Sequence, residues 1–483
     1  MPKICTALLL MACLWLAVAC TSAATTPTPT STSVPAPSPT VPAPLTDAEL
    51  QALLKDRVER SRRSVGIVVG IVDETGRRVI AYGTTDRDNG RPVDGDTVFE
   101  IGSATKVFNA SLLADMVQRG EVKLDDPVTN YLPATVTVPT RQGKAITLLD
   151  LATHTSGLPR LPDNFKPQDS ANPYADYQVQ QLYDFLSTYT LTHDIGTHYE
   201  YSNLGAGLLG HALSLKAGQD YETLLTERVL KPLGLSQTRI TLSPEMKQRL
   251  AIGHDVGRMP TTNWDFPTLA GAGALRSTTN DLLTFLEANL GISSAALSPA
   301  LEMTHSARRD AGGEGEDKMQ VGLGWHLLTV GDTDIIWHNG GTGGYRSFIG
   351  FDKAQRRGVV VLTNTANDAD DIGLHLLEPR SPLKTYPDGQ DRKVLKLDQA
   401  QLDAFVGTYT LAPTVSIEIS RVGDQLYLQI TGQGKLPLYA ETDTEFFLSV
   451  VDAQITFKRE ANGKVTHLVL HQNGLDTQGE KSK

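Results

Sequence analysis

Two β-rich runs open the chain and four more close its middle, with helical patterning in between. SVGIVVGIVDETGRRVIAYG (64–83) is rich in β-branched residues and folds back at Asp73–Gly76, the signature of a hairpin. Strands fit again at VGLGWHLL (321–328), DIIWHN (334–339), YRSFIGF (345–351) and RGVVVLTN (357–364). The segments 146–154, 177–189, 203–215, 221–230 and 278–291 carry helical periodicity, as does TDAELQALLKDRVERSR (46–62) with its capping threonine and acidic first turn. A chain that begins and returns with strands must bring both ends into one sheet. The expected architecture is α/β: an antiparallel sheet flanked by helices, with a helical insertion.

The three cysteines, Cys5, Cys13 and Cys20, all fall in the first twenty residues. Lys3 precedes the apolar run ALLLMACLWLAVA (7–19), too short and too poorly flanked for a membrane span, and LAVAC (16–20) ends it in small residues before a cysteine. This resembles a bacterial lipoprotein signal, although Ala17 stands where leucine is usual. The resemblance implies a signal peptide over 1–19, cleavage before Cys20, lipidation of its sulfur and export to the cell envelope. The mature chain then keeps at most one cysteine, so burial rather than disulfides must stabilise it. The rest of 20–45 is a Pro/Thr/Ser/Ala tether with little to bury. Extended as polyproline II, it reaches on the order of 60 Å.

The segment 46–380 reads as the main domain, and SPLKTYPDGQDR (381–392) as a linker. Alternating strands follow at 415–420, 425–430, 445–450, 454–460 and 464–470, with Gly423-Asp424 and Asn462-Gly463 as turns. Residues 393–483 therefore form a small all-β barrel or sandwich. A net charge of −11 argues against nucleic acid as a partner.

The chemistry concentrates in FEIGSATKVFNASLLADMVQRG (99–120). Ser103 and Lys106 stand one helical turn apart, so their side chains can touch. A serine hydroxyl needs a base, and a buried lysine with a lowered pKa supplies one. The N–H groups at a helix start can hold a developing oxyanion. The tetrad alone is weak evidence, because Ser381-Pro-Leu-Lys384 repeats it in a loop and Ser103 could simply cap the helix. Two further motifs add weight. Tyr201-Ser-Asn203 offers a proton carrier and an amide at the start of a helix, and His338-Asn-Gly340-Gly341 ends a β-rich run in small residues that let a substrate approach.

These three motifs, in this order, resemble the active-site signature of the serine β-lactamase and penicillin-binding superfamily. The similar branch holds class C β-lactamases, D-Ala-D-Ala carboxypeptidases, D-aminopeptidases and related esterases. LDDPVTNYLP (124–133), LLDLATHTSGLP (148–159), KPLGLSQT (231–238) and GAGALRSTTNDLLTF (271–285) fit it too. The C-terminal module resembles the lipocalin-like barrel of some members. The resemblance implies Ser103 as acylated nucleophile, Lys106 and Tyr201 as proton carriers, and Asn203 as the residue orienting the acyl side chain. His338 would flank the substrate along the strand Gly340 continues, with the Ser103 and Gly341 N–H groups as oxyanion hole.

One departure bears on substrate. β-Lactamases of this branch usually carry Lys-Thr-Gly where this chain has His338-Asn339-Gly340, and a histidine is largely neutral at pH 7. Penicillins and terminal D-Ala carboxylates should bind more weakly unless Arg346 compensates. Thr105, where serine or alanine is usual, is a milder departure. No cofactor or metal is expected: His193 and His198 lack ligand-like partners, His154 reads as structural, and Trp264 and Phe266 as packing. The leading expectation is an exported serine hydrolase acting on D-Ala-type peptides or β-lactams. The alternatives are a short-chain esterase, a slow-turnover penicillin-binding or sensor lipoprotein, and a chain in which the barrel binds a ligand or plugs the cleft.

Overall fold

The computed structural model describes residues 42–312, 318–389, 394–412, 415–431, 435–448, 453–460, 462–472 and 475–482. The signal region, Cys20 and most of the tether lie outside the described residues. Among the described residues no helix is long and apolar enough to cross a membrane.

The two ends of the main domain meet in one antiparallel sheet. Its strands run in the order Gly76–Gly83, Gly66–Asp73, Arg357–Thr363, Arg346–Asp352, Thr333–Gly341, His326–Val330, Lys318–Val321 and Arg309–Gly312. The opening hairpin joins the returning strands through a register from Ile67↔Thr363 to Val72↔Gly358. Alternation along Gly66–Asp73 decides which layer each side chain enters. Ile67, Val69 and Ile71 face the first helix and Asp370–Leu377, packing with Leu50, Leu54, Ile372 and Leu376. Val68 and Val72 face the opposite layer, with Leu112, Leu113 and Leu282. Gly70 keeps that second layer close, since a β-carbon there would lie 2.5 Å from Thr279 Cγ2 on the helix Thr279–Asn289.

The run 321–328, read as one strand, is two. Lys318–Val321 and His326–Val330 pair across a turn at Gly322–Trp325. Gly324 has φ of 70° and lies against the helix Thr105–Gln118; a β-carbon there would sit 2.7 Å from the Lys106 carbonyl oxygen. That close approach breaks the strand and turns His326 back toward the site.

Two expected helices are shorter than their patterns and continue as wider π-type turns: Asp47–Lys55 into Asp56–Arg60, and Tyr221–Leu225 into Thr226–Leu230. The segment 146–154 shortens to Leu148–Ala152, started by a reciprocal cap between Thr147 and Asp150.

The C-terminal module is a closed antiparallel barrel of eight strands, from Gly407–Ala412 to Leu475–Lys481. Phe405, Tyr409, Leu428, Phe446, Ile455, Phe457 and Leu468 fill its interior. Two of its strands carry little alternation in the sequence. Leu436–Ala440 contains Pro437, and in Leu475–Lys481 only Gly479 is buried.

Residues 381–389 run against the first helix. Arg57 Nη2 pairs with Asp371 Oδ2 at 2.6 Å, both buried, and also donates to the Lys384 carbonyl at 2.9 Å. Arg57 and Arg63 lie over the Tyr386 ring, Arg60 pairs with Asp388, and Gly389 N–H donates to the Arg60 carbonyl.

Candidate active site

Ser103 lies in a single 3-10 turn, Gly102–Ala104, that winds into the helix Thr105–Gln118. Gly102 has φ of 50°, a left-handed conformation natural to glycine. A β-carbon on it would fall 2.7 Å from the Gly341 nitrogen. Across the gap, a β-carbon on Gly340 would fall 2.9 Å from the Ser103 nitrogen. Two glycines thus bring the strand Thr333–Gly341 against the nucleophile turn, placing the Ser103 and Gly341 amides side by side. The Ser347 hydroxyl donates to the Ile101 carbonyl at 2.7 Å and fixes that contact from the next strand.

Lys106 follows one turn later and is 3 % exposed. Its Nζ lies 3.0 Å from Ser103 Oγ, 2.9 Å from Asn203 Oδ1 and 2.7 Å from the Ala272 carbonyl oxygen. Burial, and then the Arg160 charge, hold its pKa well below the usual lysine value. A neutral amine has two N–H bonds and one lone pair. Asn203 Oδ1 and the Ala272 oxygen can only accept, so they take both N–H bonds. The lone pair is left facing the Ser103 hydroxyl, the arrangement a general base needs.

Tyr201 and Asn203 come from the turn into the helix Asn203–Ala217, capped by Ser202, whose oxygen accepts from Gly205 N–H at 2.8 Å. His154, at φ of 58°, holds this turn by accepting from Ser202 N–H at 3.1 Å. Lys106 Nζ lies 4.8 Å from the Tyr201 ring centre and the Arg160 guanidinium 5.1 Å from it. Burial pushes the Tyr201 phenol up, and the Ser103 hydroxyl works the other way. The resting phenol therefore keeps its proton, which leaves Lys106 as the group placed to act as a base.

A cavity of about 450 Å³ opens over these groups, lined by Ser103, Arg160, Tyr201, Trp264, His326 and Arg346, with Asn339 to Thr342 along one wall. His338 lies beneath it, fully buried, its ring stacked 4.8 Å from His326 and tilted 6.2 Å from Tyr201. Burial first, then His326 and Lys106, keep His338 well below the usual imidazole value, and burial lowers His326 to about 4. Neither ring carries charge at neutral pH. The cations on the cavity wall are Arg160 and Arg346. Arg346 Nη1 donates to the Thr342 and Tyr345 carbonyls at 3.0 Å each. Behind it, Asp370 accepts from the Asn339 amide, and burial and Asp368 raise it to about 7.

Two wall residues, His326 and Arg160, and one residue behind the wall, Tyr174, escaped the sequence reading. His326 follows the turn at Gly324, which hid its register. Arg160 directly follows the HTSGLP motif, and its carbonyl accepts from Asn203 N–H at 3.1 Å, but a lone loop arginine gives no signal by itself. Tyr174 lies in a loop without periodicity, yet its hydroxyl accepts from Asn203 Nδ2 at 2.9 Å. Trp264, read as packing, lines the cavity, while Phe266 stacks on Tyr174 at 4.3 Å. The His193 and His198 rings lie 4.3 Å apart and tilted, both exposed.

Comparison with known proteins identifies the family. The Beta-lactamase family model matches residues 50–378, and a domain of unknown function, DUF3471, matches 391–481. D-alanyl-D-alanine-carboxypeptidase/endopeptidase AmpH of Escherichia coli (strain K12) is 30% identical over 356 residues, covering 68% of this chain and 89% of AmpH. Penicillin-binding protein 4* of Bacillus subtilis (strain 168) is 25% identical over 427 residues, covering 83% of this chain and 92% of its own. A solved β-lactamase/D-alanine carboxypeptidase from Yersinia pestis superposes with a TM-score of 0.57 at 27% identity, covering 68% of this chain and 98% of that one. The chain belongs to the β-lactamase family of serine hydrolases, in the branch of class C β-lactamases and D-Ala-D-Ala carboxypeptidases.

Proposed function

We propose that the protein hydrolyses D-Ala-type peptides or β-lactams through an acyl-enzyme on Ser103. The observation that carries this reading is the buried Lys106 amine, 3.0 Å from Ser103 Oγ with its N–H bonds spent on Asn203 and Ala272. Its lone pair takes the hydroxyl proton as Oγ attacks the substrate carbonyl. The oxyanion forms toward the Ser103 and Gly341 amides. Tyr201 gives its proton to the leaving nitrogen and is reprotonated from Lys106, which restores the resting charge. Water then attacks the ester, loses a proton to the same pair, and Ser103 leaves as the alcohol.

A substrate carboxylate would be met by Arg346 and Arg160, since His338 is neutral and buried. Arginine suits that task because its planar fork matches a carboxylate. Lipidation at Cys20 would place the enzyme on the cell envelope, within reach of peptidoglycan peptides.

Intact-mass spectrometry of residues 45–483 mixed with a penicillin, beside Ser103→Ala, tests the reading. A penicillin-sized adduct on the parent chain alone supports it, and its decay rate separates a β-lactamase from a slower peptidase or sensor. No adduct moves the choice to short-chain esters. Ser103 left unmodified by those as well overturns acyl-enzyme chemistry.

A further inference from the structure

The cavity over Ser103 carries more positive charge than one substrate carboxylate can match. Arg160 and Arg346 line it, and among the described residues no carboxylate does. The histidine on its wall, His326, is neutral. In a chain of net charge −11, two cations with no acid beside them over the nucleophile call for an anionic ligand.

The two arginines belong to different walls. Arg346 folds back along the strand Thr333–Gly341: its Nη1 is spent on the Thr342 and Tyr345 carbonyls, and a β-carbon on Gly341 would fall 2.5 Å from it. Asp368 and Asp370 face it from behind. Arg160 stands on the side of Tyr201 and Asn203. Its backbone is fixed there. The Arg160 carbonyl accepts from the Asn203 and Leu204 N–H groups at 3.1 and 3.2 Å, and the Ser202 hydroxyl donates to the Pro159 carbonyl at 2.7 Å. The Arg160 side chain is exposed, its guanidinium 5.1 Å from the Tyr201 ring centre, and among the described residues it has no hydrogen-bond or ion-pair partner. A fixed base with an unspent planar fork suits a carboxylate that arrives with the substrate. Asn203 is the residue that orients the acyl group in the reading above, so this fork lies beside the acyl chain, whereas Arg346 lies beside the Gly341 amide.

We propose that Arg160 forms a second anion subsite, on the acyl side: preferred substrates carry one carboxylate on the leaving group, met by Arg346, and another on the acyl group, met by Arg160. The proposal rests on the acyl-enzyme reading. It narrows the substrates to peptides with an acidic residue ahead of the terminal D-Ala, or to lactams with an acidic acyl chain.

Two thioesters with acyl chains of equal length test it: adipyl thioglycolate, whose chain ends in a carboxylate, and hexanoyl thioglycolate, whose chain ends in a methyl group. The leaving-group carboxylate is common to both. The readout is the ratio of their kcat/KM values, adipyl over hexanoyl, together with the mass of acylated Ser103. Any effect of Arg160 on Lys106 acts on both substrates and cancels in the ratio. The parent ratio should exceed one, and Arg160→Gln should lower it by about ten-fold or more, the scale of a hydrogen bond between charged groups. Arg160→Lys, which keeps the charge without the fork, should fall between. Arg346→Gln should slow both thioesters and leave the ratio in place. A parent ratio below one, a ratio that holds in Arg160→Gln, or one that falls as far in Arg346→Gln overturns the acyl-side subsite alone. Failure of both thioesters to acylate Ser103 in every form of the protein overturns the acyl-enzyme reading and this one with it.

Discussion

Gly340 packs so tightly on Ile101 that a β-carbon would stand 1.9 Å from the Ile101 carbonyl oxygen. Strand and nucleophile turn are in backbone contact, and this contact sets the spacing between the Ser103 and Gly341 amides. Gly340→Ala must push them apart. The expected result is a loss of about 10²-fold in kcat, the cost of one misplaced oxyanion donor. Melting should show a destabilisation of about 1–3 kcal/mol from overpacking. Thioester turnover beside a thermal melt checks both.

In the proposed mechanism Lys106 sets the acid limb of activity. Its pKa is lowered by burial and by Arg160, so the amine becomes a base well below the ordinary lysine range. Acylation should rise with pH and level off far short of pH 10. Arg160→Gln removes the second cause and should shift the midpoint toward alkaline pH. A pH series of single-turnover acylation rates, parent against variant, reads the shift; an unchanged midpoint would rule out Arg160 as a contributor.

Tyr201→Phe removes a proton carrier while leaving the lysine. Loss of one acid–base group typically costs about 10²–10⁴-fold, and kcat should fall in that range. The loss should be greater with an amide than with a thioester, because a thiolate leaves without a proton. Parallel assays on an amide and a thioester of the same acyl group decide the point.

Asp370 gives a second, opposite pH effect. Its carboxyl is raised to about 7 by burial and by Asp368, against the pull of Asn339, Arg346 and Lys384. Between the unfolded carboxylate value of about 4 and that folded value, the native protein holds the extra proton. Stability from this group is therefore complete at low pH and is lost as pH rises through 7. Asp370→Asn should raise the melting temperature at pH 8, and the gain should vanish toward pH 4. Melts across that range are the measurement.

The buried Arg57–Asp371 pair holds the segment after the main domain onto the first helix. Asp371→Ala strands the arginine and should cost about 3–5 kcal/mol, as expected for an uncompensated buried charge. Denaturant unfolding would show it, and proteolysis should quicken at 381–389.

The parts of the site that announce themselves in the sequence are those whose chemistry depends on local spacing. Ser103 and Lys106 are a helical turn apart, and Tyr201 and Asn203 straddle a helix cap, so each pair is formed by a few neighbouring residues. Arg160 and His326 reach the cavity, and Tyr174 reaches Asn203, only because distant segments are folded together, and nothing beside them in the chain says so. The fold divides along the same line. Core strands such as Arg357–Thr363 advertise burial on both faces, whereas Leu475–Lys481 is a strand only because its neighbours close the barrel. The run 321–328 misleads for a third reason: a glycine required by the backbone of another helix interrupts an otherwise continuous pattern.

The knot of Arg57, Arg60, Asp371, Tyr386 and Asp388 joins the entrance and the exit of the catalytic domain. A pull on the chain ahead of residue 46, met by drag on the module after residue 393, would pass from one end to the other through this short clasp. The clasp includes neither the strand that carries Gly340 nor the turn that carries Ser103. Tension applied at the two ends would thus load the clasp before the active site, and the reacting groups would keep their register.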